Sequence, residues 1–198
     1  MKSFKIIVLL LFITSTVFAQ EDVILNYGTS PDIKIPRLNL GIEIQYYPSG
    51  WVYGARADLY LGKHTNWNFR LAYNDVDRKD FSPYNLTEVG GGFGASLGYR
   101  YFFGKRKGLF LGARADLWKL DIDWTDEDIN MMTISGSTGI TVFQPTIEIG
   151  YQFKVGKHWT VAPAFTNGYE INVVTEGDDV GEGFITLVGV NIAYKLFK

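Results

Sequence analysis

The chain has 198 residues, enough for one domain with a sizeable core. It contains no cysteine, which excludes disulfide scaffolds, thiolate metal sites and cysteine nucleophiles. Aromatic residues make up 16% of the chain, and 22 glycines stand against 6 prolines, a composition that favours twisted β-structure. Without Lys2 and Lys5, 17 basic and 21 acidic residues remain, a net charge of −4, so nucleic acid is not an expected partner.

Residues 1–19 have the pattern of an export signal peptide. Lys2 and Lys5 form a positive segment, residues 6–12 are an apolar run, and Val17 and Ala19 supply the small side chains of a cleavage site. Cleavage is therefore predicted before Gln20. The apolar run is too short to span a bilayer, and residues 20–34, which lack a clear period, are predicted to be an N-terminal extension.

From Arg37 onward, apolar and polar residues alternate with a period of two, which predicts strands rather than helices. Eight strands are predicted, at residues 37–47, 51–61, 67–74, 93–103, 109–118, 143–153, 159–169 and 188–196. Short turns follow the first, second, fourth and sixth strands. Longer polar connections are predicted at residues 75–87, 124–139 and 171–183.

The polarity of the two strand faces predicts a barrel that is apolar outside and charged inside. The polar face carries four cationic and four anionic side chains beside many glycines: Glu43, Arg56, Asp58, Arg70, Arg100, Arg114, Asp116 and Glu148. An arginine on the lipid side would cost roughly 2–4 kcal/mol near the bilayer midplane, whereas inside a narrow lumen opposite charges can pair. A sheet in lipid must also close, because an open edge leaves backbone groups unpaired. Residues 35–198 are therefore predicted to form an all-β, transmembrane, antiparallel up-and-down barrel of eight strands.

Aromatic residues reinforce the prediction of a membrane barrel because they fall into two bands. One band lies near the short-turn ends of the strands: Trp67, Tyr101, Phe103, Phe153, Trp159 and Tyr194. The other lies near the opposite ends: Tyr46, Trp51, Tyr73, Phe143 and Tyr169. Two such bands are expected at the two membrane interfaces.

In its strand alternation, its rhythm of short and long connections and its terminal strand at residues 189–197, the chain resembles the small outer-membrane β-barrels of Gram-negative bacteria, of the OmpA-barrel, OmpX and OmpW type. The resemblance implies residence in the bacterial outer membrane as a monomer. It also implies contact with outer-membrane lipid and lipopolysaccharide, and recognition of the last strand by the outer-membrane insertion machinery. Short turns would then face the periplasm, and long loops the cell exterior.

A near-repeat places the same charged residues on two strands. Residues 54–59 read Gly-Ala-Arg-Ala-Asp-Leu, and residues 112–117 repeat these six letters. Alternation sends both arginines and both aspartates into the lumen. Convergent use of a good lumen-lining pattern, or an old duplication, would explain the repeat, and the sharper hypothesis is a buried ion-pair network that plugs the barrel.

The sequence predicts no enzyme, no cofactor and no metal site. His64 and His158 lie on predicted turns with basic neighbours and have no partner placed for a catalytic triad. The aspartates at 121, 123, 126 and 128 do not match an EF-hand loop. Acidic long loops are expected to be solvated, with the binding of divalent cations shared with lipopolysaccharide, or of a cationic surface partner, as the sharper hypothesis.

Two functions remain open at this point. The first is a non-enzymatic structural or surface-interaction barrel, favoured by a charge-balanced lumen. The alternative is a narrow porin-like channel for small solutes, in which the lumen glycines leave a water path: Gly41, Gly54, Gly94, Gly98, Gly112, Gly150 and Gly189.

Overall fold

The computed structural model describes residues 37–79, 85–104, 108–127 and 132–196. The predicted signal peptide at residues 1–19, its cleavage before Gln20 and the predicted extension at residues 20–34 lie outside these ranges. None of the described residues forms a helix long and apolar enough to cross a membrane.

Nine strand segments wind into one closed antiparallel barrel. They are β1 (Arg37–Tyr47), β2 (Gly50–Tyr60), β3 (Thr65–Lys79), β4 (Thr87–Phe102), β5 (Leu109–Glu127), β6 (Thr133–Tyr151), β7 (Phe153–Val155), β8 (Trp159–Glu176) and β9 (Gly183–Lys195). Only Gln152 separates β6 from β7, and both pair with β8, so together they form one of eight barrel strands. Pairing of β1 with β9, from Asn39 opposite Lys195 to Tyr46 opposite Val188, closes the barrel.

Several strands are longer than predicted. Each of the connections predicted at residues 75–87, 124–139 and 171–183 begins as strand, because β3 continues to Lys79, β5 to Glu127 and β8 to Glu176. Their partners β4, β6 and β9 likewise begin earlier than predicted, at Thr87, Thr133 and Gly183. The backbone ladder simply continues, as in the pairing of Asp123 with Ser137. The predicted breaks were wrong because a change in polarity of the outward face was interpreted as the end of a strand.

Strand β5 shows this change most clearly. Up to residue 117 its outward side chains are apolar and its inward side chains include Arg114 and Asp116. Beyond that point the inward side chains are apolar and buried, namely Trp118, Leu120 and Ile122, while Lys119, Asp121 and Asp123 are exposed. The inward phase never changes along the strand. Beyond residue 117 the inward face becomes apolar and the outward face becomes polar.

The barrel therefore has two zones. In the charged-lumen zone, at the short-turn end, large apolar side chains point outward, with Leu71 70% and Phe93 74% exposed. In the apolar-lumen zone, at the long-loop end, an apolar cluster fills the interior, as in a water-soluble protein; it includes Tyr47, Val52, Val76, Trp118, Leu120, Ile122, Trp124, Ile140 and Leu187. The outer surface of the first zone suits lipid, whereas that of the second carries exposed charged side chains on β3 and β5.

Paired aromatic side chains mark both ends of the apolar outer surface. At the short-turn end, Tyr101 contacts Phe103 and Trp159 contacts Tyr194, with ring centroids 4.9 and 5.1 Å apart. Toward the long-loop end, Tyr46 lies 4.9 Å from Trp51, and Tyr73 and Phe93 form a second pair. These are the two interfacial bands that amphipathic rings form in membrane barrels.

Candidate functional site

The near-repeat on β2 and β5 supplies the lumen with two equivalent arginine–aspartate units. Because alternate residues face the same side of a strand, each arginine lies beside the aspartate two positions later. Arg56 Nε donates to Asp58 at 3.0 Å, and Arg114 Nε donates to Asp116 at the same distance. Both units project into the barrel from separate strands.

Glu43, on β1, joins these units. Its carboxylate accepts hydrogen bonds from Arg56 Nη1, from Arg70 Nη1 at 2.9 Å and from Arg114 Nη1 at 2.8 Å. Glu43 is only 3% exposed. One carboxylate therefore serves three buried guanidinium groups, a hub that the sequence pattern did not reveal.

Arg70 and Gln45 complete this part of the lumen. Arg70 Nη2 donates to Asp116 at 2.7 Å, so Asp116 accepts from two arginines. The side-chain oxygen of Gln45 accepts from Arg70 Nη1 at 2.6 Å and from Arg114 Nη2 at 3.1 Å. Gln45, one of the polar lumen residues of β1, was not among the predicted charged set.

Arg100 and Glu148 form a separate bidentate pair. Arg100 Nε and Nη2 donate to the two carboxylate oxygens at 2.5 and 2.8 Å. The guanidinium of Arg100 also lies over the ring of Phe110, 4.2 Å from its centroid. Parallel N–H···O bonds and a cation–π contact hold this pair in one geometry.

All eight predicted lumen residues thus lie inside the barrel, and each belongs to at least one ion pair; we call them the lumen charge network. Every side chain in it is 3% exposed or less. Four positive and four negative charges balance within it. Buried charges are tolerated when they are paired and hydrogen-bonded in this way.

Side-chain and backbone atoms of neighbouring strands lie close to the lumen glycines. A methyl group at Gly94 would lie 2.3 Å from the Trp118 ring, and one at Gly98 would lie 2.5 Å from the Asn68 side chain. At Gly112 it would meet the Glu148 carboxylate at 2.7 Å. The same holds at Gly41, Gly54, Gly150 and Gly189, where the nearest atoms lie between 2.2 and 2.9 Å. The space beside these glycines, from which the sequence suggested a channel, is occupied by atoms of neighbouring strands.

A second buried cluster lies at the long-loop end and was not predicted. Arg78 donates to Glu88 at 3.1 Å, to Glu170 at 2.8 Å and to the carbonyl oxygen of Gly181 at 2.5 Å. The backbone N–H of Gly181 in turn donates to Glu88. Arg78 and Glu88 keep the inward strand phase at paired positions, which is the signal that an interpretation as polar loops overlooked.

This cluster anchors the β8–β9 connection, residues 177–182, which we call the lid. Val180 of the lid is 2% exposed and belongs to the apolar cluster inside the barrel. Thr138 donates to the carbonyl of Asp178 at 3.1 Å, and the backbone N–H of Asn172 donates to Glu182 at 2.7 Å. The lid is therefore folded over the end of the barrel, although its sequence predicted a solvated acidic loop.

No protein-family model matches this chain, and no curated protein matches it by sequence. Among solved structures, a major outer-membrane protein from Thermus thermophilus is similar with a TM-score of 0.55 and 11% identity, covering 82% of this chain and all of that one (100%). Neisserial surface protein A follows with a TM-score of 0.49 and 8% identity, covering 81% and 96%. The N-terminal β-barrel domain of Pseudomonas aeruginosa OprF has 0.43 and 15%, covering 79% and 96%.

The chain has the fold of a small eight-stranded outer-membrane β-barrel. At these identities the comparisons show the fold alone. Its function therefore has to be argued from its own lumen and surfaces.

The two histidines lie, half-buried, at the short-turn end, and His158 borders the end of the lumen there. His64 stacks on Tyr101, and its Nδ1 lies 2.8 Å from the carbonyl oxygen of Phe102. His158 stacks on Tyr194 with ring centroids 5.4 Å apart. Within the described ranges, no group of three or more histidine, aspartate and glutamate side chains is placed to hold a metal ion.

Proposed function

We propose that this protein is a non-enzymatic barrel of the bacterial outer membrane with a structural or surface-interaction role and a blocked lumen. The observation that carries the proposal is the lumen charge network, which crosses the interior from Glu43 to Asp116 and leaves none of its members unpaired. An eight-stranded barrel has an interior just wide enough for side chains to fill. The apolar cluster and the lid add a second barrier above the network.

The proposed orientation follows the lengths of the connections. The short turns after β2, β4 and β7 face the periplasm, and the long hairpins, with the short β1–β2 turn at the same end, face the cell exterior, as in other outer-membrane barrels. The apolar-lumen zone then stands above the lipid as a rigid extension and carries Asp75, Asp77, Asp121 and Asp123 on its outer face. This acidic face is the proposed contact for lipopolysaccharide through divalent cations, or for a cationic surface partner. Strand β9 is the proposed signal for the insertion machinery, and the proposed state is a monomer.

We expect the refolded mature protein to insert into a planar bilayer without producing conductance steps. Every charged side chain of the network is held in a buried ion pair, and the lid folds over the long-loop end. Insertion is verified separately by protection of the barrel from protease in vesicles. Stable steps whose frequency rises with protein concentration would contradict the proposal and favour the narrow channel.

A paired substitution distinguishes a true channel from an artefact if steps are seen. Arg70→Ser with Asp116→Ser removes one cation and one anion, so the lumen stays neutral but becomes wider. Steps that pass through the lumen would change in size in this variant. Lys119→Gln, on the exposed outer face, is the matched control and would leave them unchanged.

A further inference from the structure

A cavity of about 350 Å³ lies at the short-turn end of the lumen. Its rim comes from the start of β1, the end of β9 and the turns after β2 and β7. Five side chains that are cationic at neutral pH line it: Arg37, Lys63, Lys154, Lys157 and Lys195. Among the described residues that line the cavity, none is a carboxylate.

An aromatic floor separates this cavity from the lumen charge network. Phe102 lies between Tyr60 and Phe110, with ring centroids 5.9 and 5.6 Å apart. Phe102 and Phe110 are buried, and Arg100 of the network lies on the far side against Phe110. The carboxylates that balance the arginines of the network therefore do not reach the cations of the cavity.

The cavity cations are uncompensated, in contrast to the arginines deeper in the barrel. Within the described part of the chain, no ion pair joins any of the five to a carboxylate. Like charges around one concave space raise its potential and attract a counter-anion. Lysine ammonium groups are compact point charges that bind phosphate.

We propose that this cavity is a binding site for a multivalent phosphate-bearing anion. A single carboxylate would leave most of the positive charge uncompensated, whereas a diphosphate group carries several negative charges in a small volume. The cavity of about 350 Å³ has room for a diphosphate group, since it exceeds roughly tenfold the volume of about 30 Å³ that one water molecule occupies in the liquid. Gln152 offers a neutral donor: its Oε1 accepts from the Tyr60 hydroxyl at 2.9 Å, which leaves its amide N–H groups for a ligand.

The test uses the mature protein refolded in a neutral maltoside detergent and titrated with inorganic pyrophosphate. Binding is followed by calorimetry and by tryptophan fluorescence, to which Trp159 in the cavity lining contributes. We expect saturable binding that weakens at least tenfold in the double variant Lys63→Gln with Lys154→Gln. Both lysines are exposed, so the variant is expected to fold, which circular dichroism verifies.

Lys119→Gln is the matched control, because Lys119 is exposed on the outer face of β5, away from the cavity. Its affinity for pyrophosphate should equal that of the wild type. Absence of saturable binding in the wild type, or equal binding by the double variant, would overturn the proposal. Neither result depends on membrane orientation or conductance.

Two sources of phosphate are separated by repeating the titration in bilayers. If the apparent affinity for pyrophosphate falls in phosphatidylglycerol vesicles relative to phosphatidylcholine vesicles, anionic lipid headgroups compete for the site. If it is unchanged, the site takes a soluble phosphate compound. In either case the cavity binds phosphate.

Discussion

Glu43→Ala is expected to lower the free energy of unfolding by about 3–5 kcal/mol, the usual cost of breaking a buried ion pair. Its carboxylate accepts from three arginines, and no other carboxylate in the network is bonded to as many. Removing it leaves a surplus of buried positive charge that cannot move to water. Urea unfolding of the refolded protein in vesicles measures the change.

Two further variants show whether the charge of Glu43 or its hydrogen bonds matter. Glu43→Gln keeps the size and an acceptor oxygen but removes the charge, so we expect a loss between zero and that of Glu43→Ala. Glu127→Ala, on an exposed glutamate of β5, should change stability by no more than about 0.5 kcal/mol. If Glu43→Ala behaves like Glu127→Ala, the network does not hold the barrel together.

Arg78→Ala is expected to lower the free energy of unfolding by about 3 kcal/mol and to release the lid. Arg78 bonds to two carboxylates and to the backbone of Gly181 at the same time. Without it, Glu170 stays buried with no cationic partner among the described residues. Limited proteolysis should then cleave residues 177–182 faster than in the wild type, and urea unfolding gives the loss of stability.

The control for this experiment is Lys119→Ala, which removes a cation from the outer face without disturbing a buried group. It should leave both the stability and the protease resistance of the lid unchanged. A lid that is cleaved equally fast in the wild type and in Arg78→Ala would contradict the anchoring role of Arg78.

The charged-lumen zone could be predicted from the sequence because lipid and a narrow lumen impose opposite chemistry on alternate residues. The first strand, residues 37–47, was predicted with its observed bounds, Arg37–Tyr47. All eight charged residues assigned to the lumen lie there. In this zone, polarity at each position depends on the inward or outward phase of the strand.

The apolar-lumen zone could not be predicted by the same rule, since beyond Leu117 the outer face of β5 becomes charged. Lys119 and Asp121 point outward in the same phase as Leu117, so the strand continues while its polarity is exchanged. A search for continued alternation would have detected Trp118, Leu120, Ile122 and Trp124. The partners of Arg78 could not have been detected by such a search, because contacts across a barrel depend on the register of distant strands.

The glycines show a related limit of sequence reasoning. Absence of a side chain at Gly94 or Gly98 does not show whether the space is open or filled. Trp118 and Asn68, on neighbouring strands, occupy it in the folded barrel. Whether these glycines leave a water path depends on how side chains of neighbouring strands pack against them, and the pattern of one strand does not contain that information.

The most direct test of this account is the position of the bilayer on the outer face of β5. The chain has no cysteine, so single nitroxide labels can be placed at Leu117 and Asp121 without removing any native cysteine. These positions share one face and lie about 13 Å apart along the strand. In reconstituted bilayers, the label at 117 should collide with oxygen, which dissolves in lipid, and that at 121 with a water-soluble nickel complex. Greater contact of the label at 117 with the nickel complex than with oxygen would contradict a barrel that crosses the membrane in this zone.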